Sequence, residues 1–122
     1  MRLIRGASLF VMAWAATAAQ PARAQTPDCV DVALPAAMRV FACTQAITQG
    51  ETDPEKFADL FINRADALID EGFPDKALSD LNSAVRLTPR RKRVHFLRAR
   101  INHAAGRDMM ALADADAGLA LD

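Results

Sequence analysis

Two cysteines and two histidines are the side chains of this sequence with the widest chemical range. Cys29 and Cys43 are its only thiols, and His95 and His103 its only imidazoles. Thirteen residues separate the cysteines, which is not the spacing of a redox motif. Two thiols without a nearby histidine also make an incomplete zinc site. In an oxidising compartment such a pair forms a disulfide, whereas in a reducing one the thiols stay free.

The remaining candidates for catalysis or metal binding are weak. His95 and His103 lie eight residues apart, about 80° around a helix axis, with no thiol or carboxylate at ligand spacing between them. Asp66 and Asp70 would share a helix face, as a general acid and base might, but nothing nearby would raise a pKa. The sequence contains no glycine-rich phosphate loop and no nucleophile elbow. We expect ordinary surface residues, no metal, no cofactor and no enzymatic activity.

The N-terminus has the pattern of a secretory signal peptide. Met1 to Arg5 is basic, Ala7 to Ala19 is apolar, and Ala22-Arg23-Ala24 resembles a cleavage site for small residues. The apolar run is shorter than the roughly 20 residues of a membrane span, so a retained anchor is the weaker alternative. Cleavage after Ala24 or an earlier alanine would deliver a periplasmic or secreted protein without a membrane span.

Export favours a disulfide between Cys29 and Cys43 over free thiols. A bridge that closes a loop of this size should add about 3 kcal/mol to the free energy of unfolding. Signal cleavage also removes three of the 15 cations and none of the 15 acids, which leaves a net charge of −3. A weakly acidic exported chain is a poor candidate for binding nucleic acid.

The periodicity of the apolar residues predicts five helices and no strand. Proline at first-turn positions and glycine after the last turn mark the ends of several of them. The predicted helices run from about Pro35 to Gly50, from Asp53 to Gly72, from Pro74 to Thr88, from Arg91 to Ala105 and from Asp108 to Leu121. The expected fold is all-α, built of short antiparallel pairs.

A shift of 34 residues superposes part of the chain on itself. The matching pairs are Arg64 and Arg98, Ala65 and Ala99, Gly72 and Gly106, Ala77 and Ala111, Leu78 and Leu112, Asp80 and Asp114, and Leu87 and Leu121. A helical hairpin needs such residues, because small Ala65 and Ala77 let two helices approach closely and Gly72 supplies a left-handed turn.

This period and pattern resemble the tetratricopeptide repeat. The residues that carry the resemblance are Phe61, Ala65, Leu68, Gly72, Ala77, Leu81, Ala84 and Pro89. The second copy departs from the pattern at Asn102, Ala115 and Gly118, where a large apolar residue, an aromatic residue and alanine are usual. The resemblance implies a short solenoid of stacked antiparallel hairpins and a role as a binding scaffold.

The resemblance divides the chain after the signal peptide (1–24) into two parts. Residues 25–52 would form a disulfide-stapled helical cap, in which "FACTQAITQG" resembles the second helix of a repeat whose first helix is short or missing. Residues 53–122 would form two repeats, a strong one over 57–90 and a degraded one over 91–122.

In the tetratricopeptide family the first helix of each repeat lines a concave groove. The resemblance therefore implies a peptide-binding groove at Asp59, Ile62, Asn63, Asp66, Arg93, Phe96, Arg100 and His103. Ile62 and Asp66 replace the lysine and asparagine of the family's chaperone-tail clamp, which disfavours that partner. Arg93 and Arg100 could instead take the carboxylates of an acidic segment while Phe96 packs on its apolar residues.

A basic stretch accompanies the second repeat. No acid lies between Asp80 and Asp108, while Arg86, Arg90, Arg91, Lys92, Arg93, Arg98, Arg100 and Arg107 are all cationic. The stretch is either a solvated face or part of a binding site. The last helix is apolar around much of its circumference and lacks a polar cap, which predicts self-association or cover by a partner.

These features favour an exported protein-protein interaction scaffold whose partner is a protein or peptide. The alternative is a structural helical-repeat protein that assembles with itself and has no separate ligand.

Overall fold

The computed structural model describes residues 28–121, so the predicted signal peptide lies outside the described part of the chain. Within that part the protein consists of five α-helices without a strand, as predicted. They are α1 (Ala36–Gln49), α2 (Pro54–Asp70), α3 (Pro74–Leu87), α4 (Lys92–Ala104) and α5 (Asp108–Leu119). Most predicted bounds agree within about two residues, the precision to which helix ends are defined.

Local sequence signals explain where the helices begin and end. The Asp53 carboxylate accepts a hydrogen bond from the backbone N–H of Glu55 at 2.9 Å, which caps α2. Gly72 follows α2 with φ 84°, a conformation that glycine adopts without strain. The next N–H, from Phe73, reaches back to the Leu68 carbonyl at 2.8 Å. This Schellman turn reverses the chain into α3.

The second hairpin uses the same turn. Gly106 has φ 72°, and the Arg107 N–H reaches the Asn102 carbonyl at 2.8 Å. Both hairpins are therefore closed by repeat-related residues with the same backbone hydrogen bonds.

Helices that follow one another pack together, most extensively α2 with α3, α4 with α5, and α1 with α2. Helix α4 also contacts α2 and α3, so the second hairpin lies against the first. The core between them contains Ala58, Ile62, Ala65, Leu68, Ala77, Leu81, Ala84, Val94, Leu97 and Ile101. Ala65 and Ala77 are completely buried, as expected of small residues at a close helix crossing.

A repeated ion pair joins the two helices of each hairpin. The Arg64 guanidinium donates two hydrogen bonds to the Asp80 carboxylate, at 2.7 and 2.6 Å. Arg98 donates to Asp114 in the same way, at 3.2 and 2.6 Å. The hydrogen bond to Asp80 is the main cause that raises the pKa of Arg64, against the desolvation that lowers it.

Asn102 gives the second hairpin a polar link that the first one lacks. Its amide N–H donates to Asp114 at 3.0 Å, and its amide oxygen accepts from Arg107 at 2.9 Å. Leu68 is its repeat equivalent and lies in the core. The departure from the apolar pattern at Asn102 is therefore a buried and hydrogen-bonded substitution.

Candidate functional site

The predicted groove lies between α2 and α4, where ion pairs cross from one helix to the other. Arg93 contacts the Asn63 amide oxygen at 2.8 Å and the Asp66 carboxylate at 3.1 Å. Arg100 contacts Asp66 at 3.1 Å and Asp70 at 2.6 Å. The acidic wall and the basic wall therefore pair with each other across the groove.

The same pattern continues at both ends of this ion-pair network. Arg91 contacts Glu55 at 2.8 Å and Asp59 at 3.1 Å. Arg39, on α1, contacts Asp70 at 2.6 Å with most of its side chain buried. Four arginines are matched by four acids, so this network has no net charge to attract an acidic ligand.

The network changes the role expected of two groove residues. Arg93 and Arg100 were predicted to bind carboxylates of a partner, but each is already bound to carboxylates of α2. Both guanidinium groups are half-exposed, so each contact stabilises the packing of α4 on α2 by less than about 1 kcal/mol. The two arginines fix how the hairpins stack, whatever else they contact.

The other predicted groove residues are separated by the fold. Ile62 is only 1% exposed and belongs to the core, so its side chain cannot line a groove. The Phe96 ring lies against Gly118 of α5, where an added Cβ would sit 2.8 Å from the ring. His103 forms an exposed contact with Asp108 at 3.0 Å. Gly118, a departure from the repeat pattern, thus makes room for Phe96.

The N-terminal disulfide has formed as predicted, and a cavity lies beside it. Cys43 of α1 is fully buried and is bonded to Cys29, which belongs to the turns that precede α1. Next to this bridge is a cavity of about 530 Å³. It is lined by Asp28, Cys29, Val30, Phe41, Ala42, Gln45, Ala46, Gln49 and Leu60. These residues are called the α1 pocket below.

The α1 pocket lies on the side of α1 that faces away from the first hairpin. A shift of 34 residues places Ala42, Gln45 and Ala46 on Lys76, Ser79 and Asp80 of α3. Those three residues of α3 face back toward α1, across a smaller cavity lined also by Val40 and Thr44. By the same geometry, the α1 pocket is where a preceding helix would pack, and residues 28–35 form turns there instead.

The walls of the α1 pocket are apolar and its rim is polar. Phe41 is 57% exposed and Val30 is similarly exposed, which is unusual for large apolar side chains so close to a core. Gln45 and Gln49 offer amide groups, and Asp28 is the only charged residue of the lining. The arrangement suits an apolar side chain with a cation beside it.

Sequence reasoning did not identify the α1 pocket, although it placed a missing helix at this position. Val30 and Phe41 are apolar residues that flank the two cysteines, and that position was the available signal.

Two negative observations apply to residues 28–121. Within this range, no three histidine, cysteine, aspartate or glutamate side chains come together as a metal site. None of the helices described there is both long and apolar enough to cross a membrane.

Comparison with known proteins identifies no relative. No protein-family model matches the chain. Neither the curated proteins nor the solved structures contain a significant match. The tetratricopeptide resemblance therefore remains a prediction that depends on the residues and the period of this sequence.

Proposed function

We propose that the protein is an exported interaction scaffold of the tetratricopeptide type, without catalytic activity, and that the α1 pocket is its binding site. The observation that carries this proposal is the open apolar side of α1 beside the disulfide. Each hairpin of the described chain covers such a side with a neighbouring helix, whereas α1 leaves Phe41 and Val30 exposed. A partner segment would supply the missing cover.

The chemistry of the α1 pocket defines the partner. A short amphipathic helix is the natural occupant, because it would take the place of a preceding helix and bury apolar anchors against Phe41 and Leu60. Asp28 on the rim, with Asp31 nearby in sequence, favours a lysine or arginine next to the anchors. This basic and apolar partner differs from the acidic segment expected from the groove.

The disulfide gives the site its rigidity. Cys29 and Val30 form one wall, and the bond to Cys43 ties that wall to α1. A preorganised wall lowers the entropy that binding would otherwise cost.

Selection from a random peptide library tests the proposal. Peptides that bind the oxidised protein should share an apolar anchor flanked by Lys or Arg. Phe41→Glu should abolish their binding, measured by fluorescence anisotropy, because it places a charge on the apolar wall. Phe73→Glu is the matched control, since Phe73 is 47% exposed in the α2–α3 turn, outside the α1 pocket. Failure to select any peptide, or equal binding by both variants, would contradict the proposal.

A further inference from the structure

The opposite end of the molecule, formed by α4 and α5, is also apolar. Helical spacing places Met109, Leu112, Asp116 and Leu119 along one stripe of α5. The three apolar members of this stripe are exposed, Leu119 by 61%. Phe96 of α4 is partly exposed next to it and packs on Gly118. These residues are called the end face below.

The repeat explains why the end face is uncovered. The equivalents of Leu112 and Leu119 in the first hairpin are Leu78 and Val85. Both are partly buried against the core that the first hairpin shares with α4. In the second hairpin the same positions are exposed, because no further hairpin packs on α5 within the described chain. The end face thus has the character of an interface between hairpins.

The charges around the end face have opposite signs on its two helices. Arg93 and Arg100 lie on α4 with about half of each side chain exposed. Each arginine has more N–H groups than its contacts to α2 use. On α5 the exposed Asp116 interrupts the apolar stripe and has no ion-pair partner among residues 28–121. The surface is therefore basic along one helix and acidic along the other.

From this pattern we infer that the end face binds a second copy of the same chain across a two-fold axis. An axis parallel to the helices would set α4 of each copy against α5 of its partner. Leu112 and Leu119 would then be buried while Asp116 approaches the partner's Arg93 and Arg100. A surface that carries both signs in this order is complementary to itself. The inference does not depend on the α1 pocket, which lies at the other end of the molecule.

Sedimentation of the purified, oxidised protein tests the inference. We expect twice the mass of one chain, and one chain for Leu112→Glu/Leu119→Glu. Met110→Glu is the matched control, because Met110 is 56% exposed on the side of α5 that faces α3, and it should leave the dimer intact. Circular dichroism should show an unchanged helical signal for all of these variants.

The charge arrangement has its own variant. Asp116→Lys would place a cation opposite Arg93 and Arg100, so we expect the dissociation constant of the dimer to rise about tenfold. A single-chain mass for the wild type at high concentration would overturn the inference, as would a dimer that survives Leu112→Glu/Leu119→Glu. An unchanged constant for Asp116→Lys would overturn the pairing of α4 with α5. Peptide binding in the monomeric variant tests the α1 pocket separately.

Discussion

The pair of Arg64 and Asp80 shows how two repeated residues can define a hairpin. Asp80 is buried, and both of its oxygens accept from Arg64, whose stem also lies over the Phe61 ring at 5.7 Å. Burying a carboxylate costs free energy unless it is paired in this way. Because Arg98 and Asp114 repeat the arrangement, we interpret these four identities as structural rather than catalytic.

Removing one partner of the pair should cost more than removing both. Asp80→Ala leaves a partly buried arginine without its carboxylate, so we expect the free energy of unfolding to fall by about 2–3 kcal/mol. Arg64→Met combined with Asp80→Leu should cost less than the sum of the two single changes, since apolar side chains can pack in the space. Urea denaturation of all four proteins measures the coupling. Simple additivity would show that the two side chains do not stabilise each other.

Asp70 predicts a dependence of stability on pH. The hydrogen bond from Arg39, followed by the contacts with Arg100, lowers its pKa below the usual 3.8, although desolvation opposes this. The folded protein thus binds the proton less tightly than the unfolded chain. The stabilisation is present above the unfolded pKa and is lost as the pH falls through the folded pKa.

Asp70→Asn should therefore destabilise the protein near neutral pH and matter less in acid. Because 40% of the side chain is exposed, we expect a loss of only about 1 kcal/mol. Thermal melts at a series of pH values should show the difference from wild type shrinking below about pH 4. Glu71→Gln is the control, an exposed neighbour whose substitution should leave the curve unchanged. A difference that stays constant down to pH 2 would assign the effect to packing.

At the scale of elements, α1 depends on the disulfide more than the other helices do. It packs extensively on α2 alone, and Cys29, Ala42 and Cys43 form a small cluster of their own with Leu60. By contrast, the hairpins α2–α3 and α4–α5 share one continuous core. Loss of the bridge should loosen residues 28–49 and leave the two hairpins folded.

Cys29→Ser and Cys43→Ser test this division. Each variant removes the same bond, so each should lower the free energy of unfolding by about 3 kcal/mol, and the double variant should add little. Hydrogen exchange should show faster exchange in α1 but similar protection in α3 and α4. Strongly additive losses would mean that the cysteines stabilise the protein separately, and uniform loss of protection would mean that α1 is integral to the main core.

At the scale of the whole molecule, the exposed apolar surface is concentrated at the two ends. Val30, Val32, Met38 and Phe41 lie at the end that contains α1, and Phe96, Met109, Met110, Leu112 and Leu119 lie at the other. The faces of α2 and α4 between them carry the ion-pair network. A stack of hairpins leaves both terminal faces open unless it is capped, and the two proposals assign a partner segment to one end and a second copy to the other.

The sequence by itself determined the features that depend on neighbouring residues. Asp53 and Gly72 define helix ends through backbone hydrogen bonds only a few residues long, and the period of 34 residues predicts two similar hairpins. The pairing of Cys29 with Cys43 also followed from the sequence, because only two cysteines are present. The helices and the disulfide were confirmed on that basis.

Tertiary structure decided which helix faces meet. The contacts of Arg93 and Arg100 with Asp66 join residues 27 and 34 positions apart, and they depend on the rotation of each helix once the hairpins stack. Periodicity shows that a helix has an apolar side but does not show which neighbour covers it. For that reason Ile62 was assigned to a groove although it lies in the core, and the α1 pocket, which exists where a neighbouring helix is missing, became visible only in three dimensions.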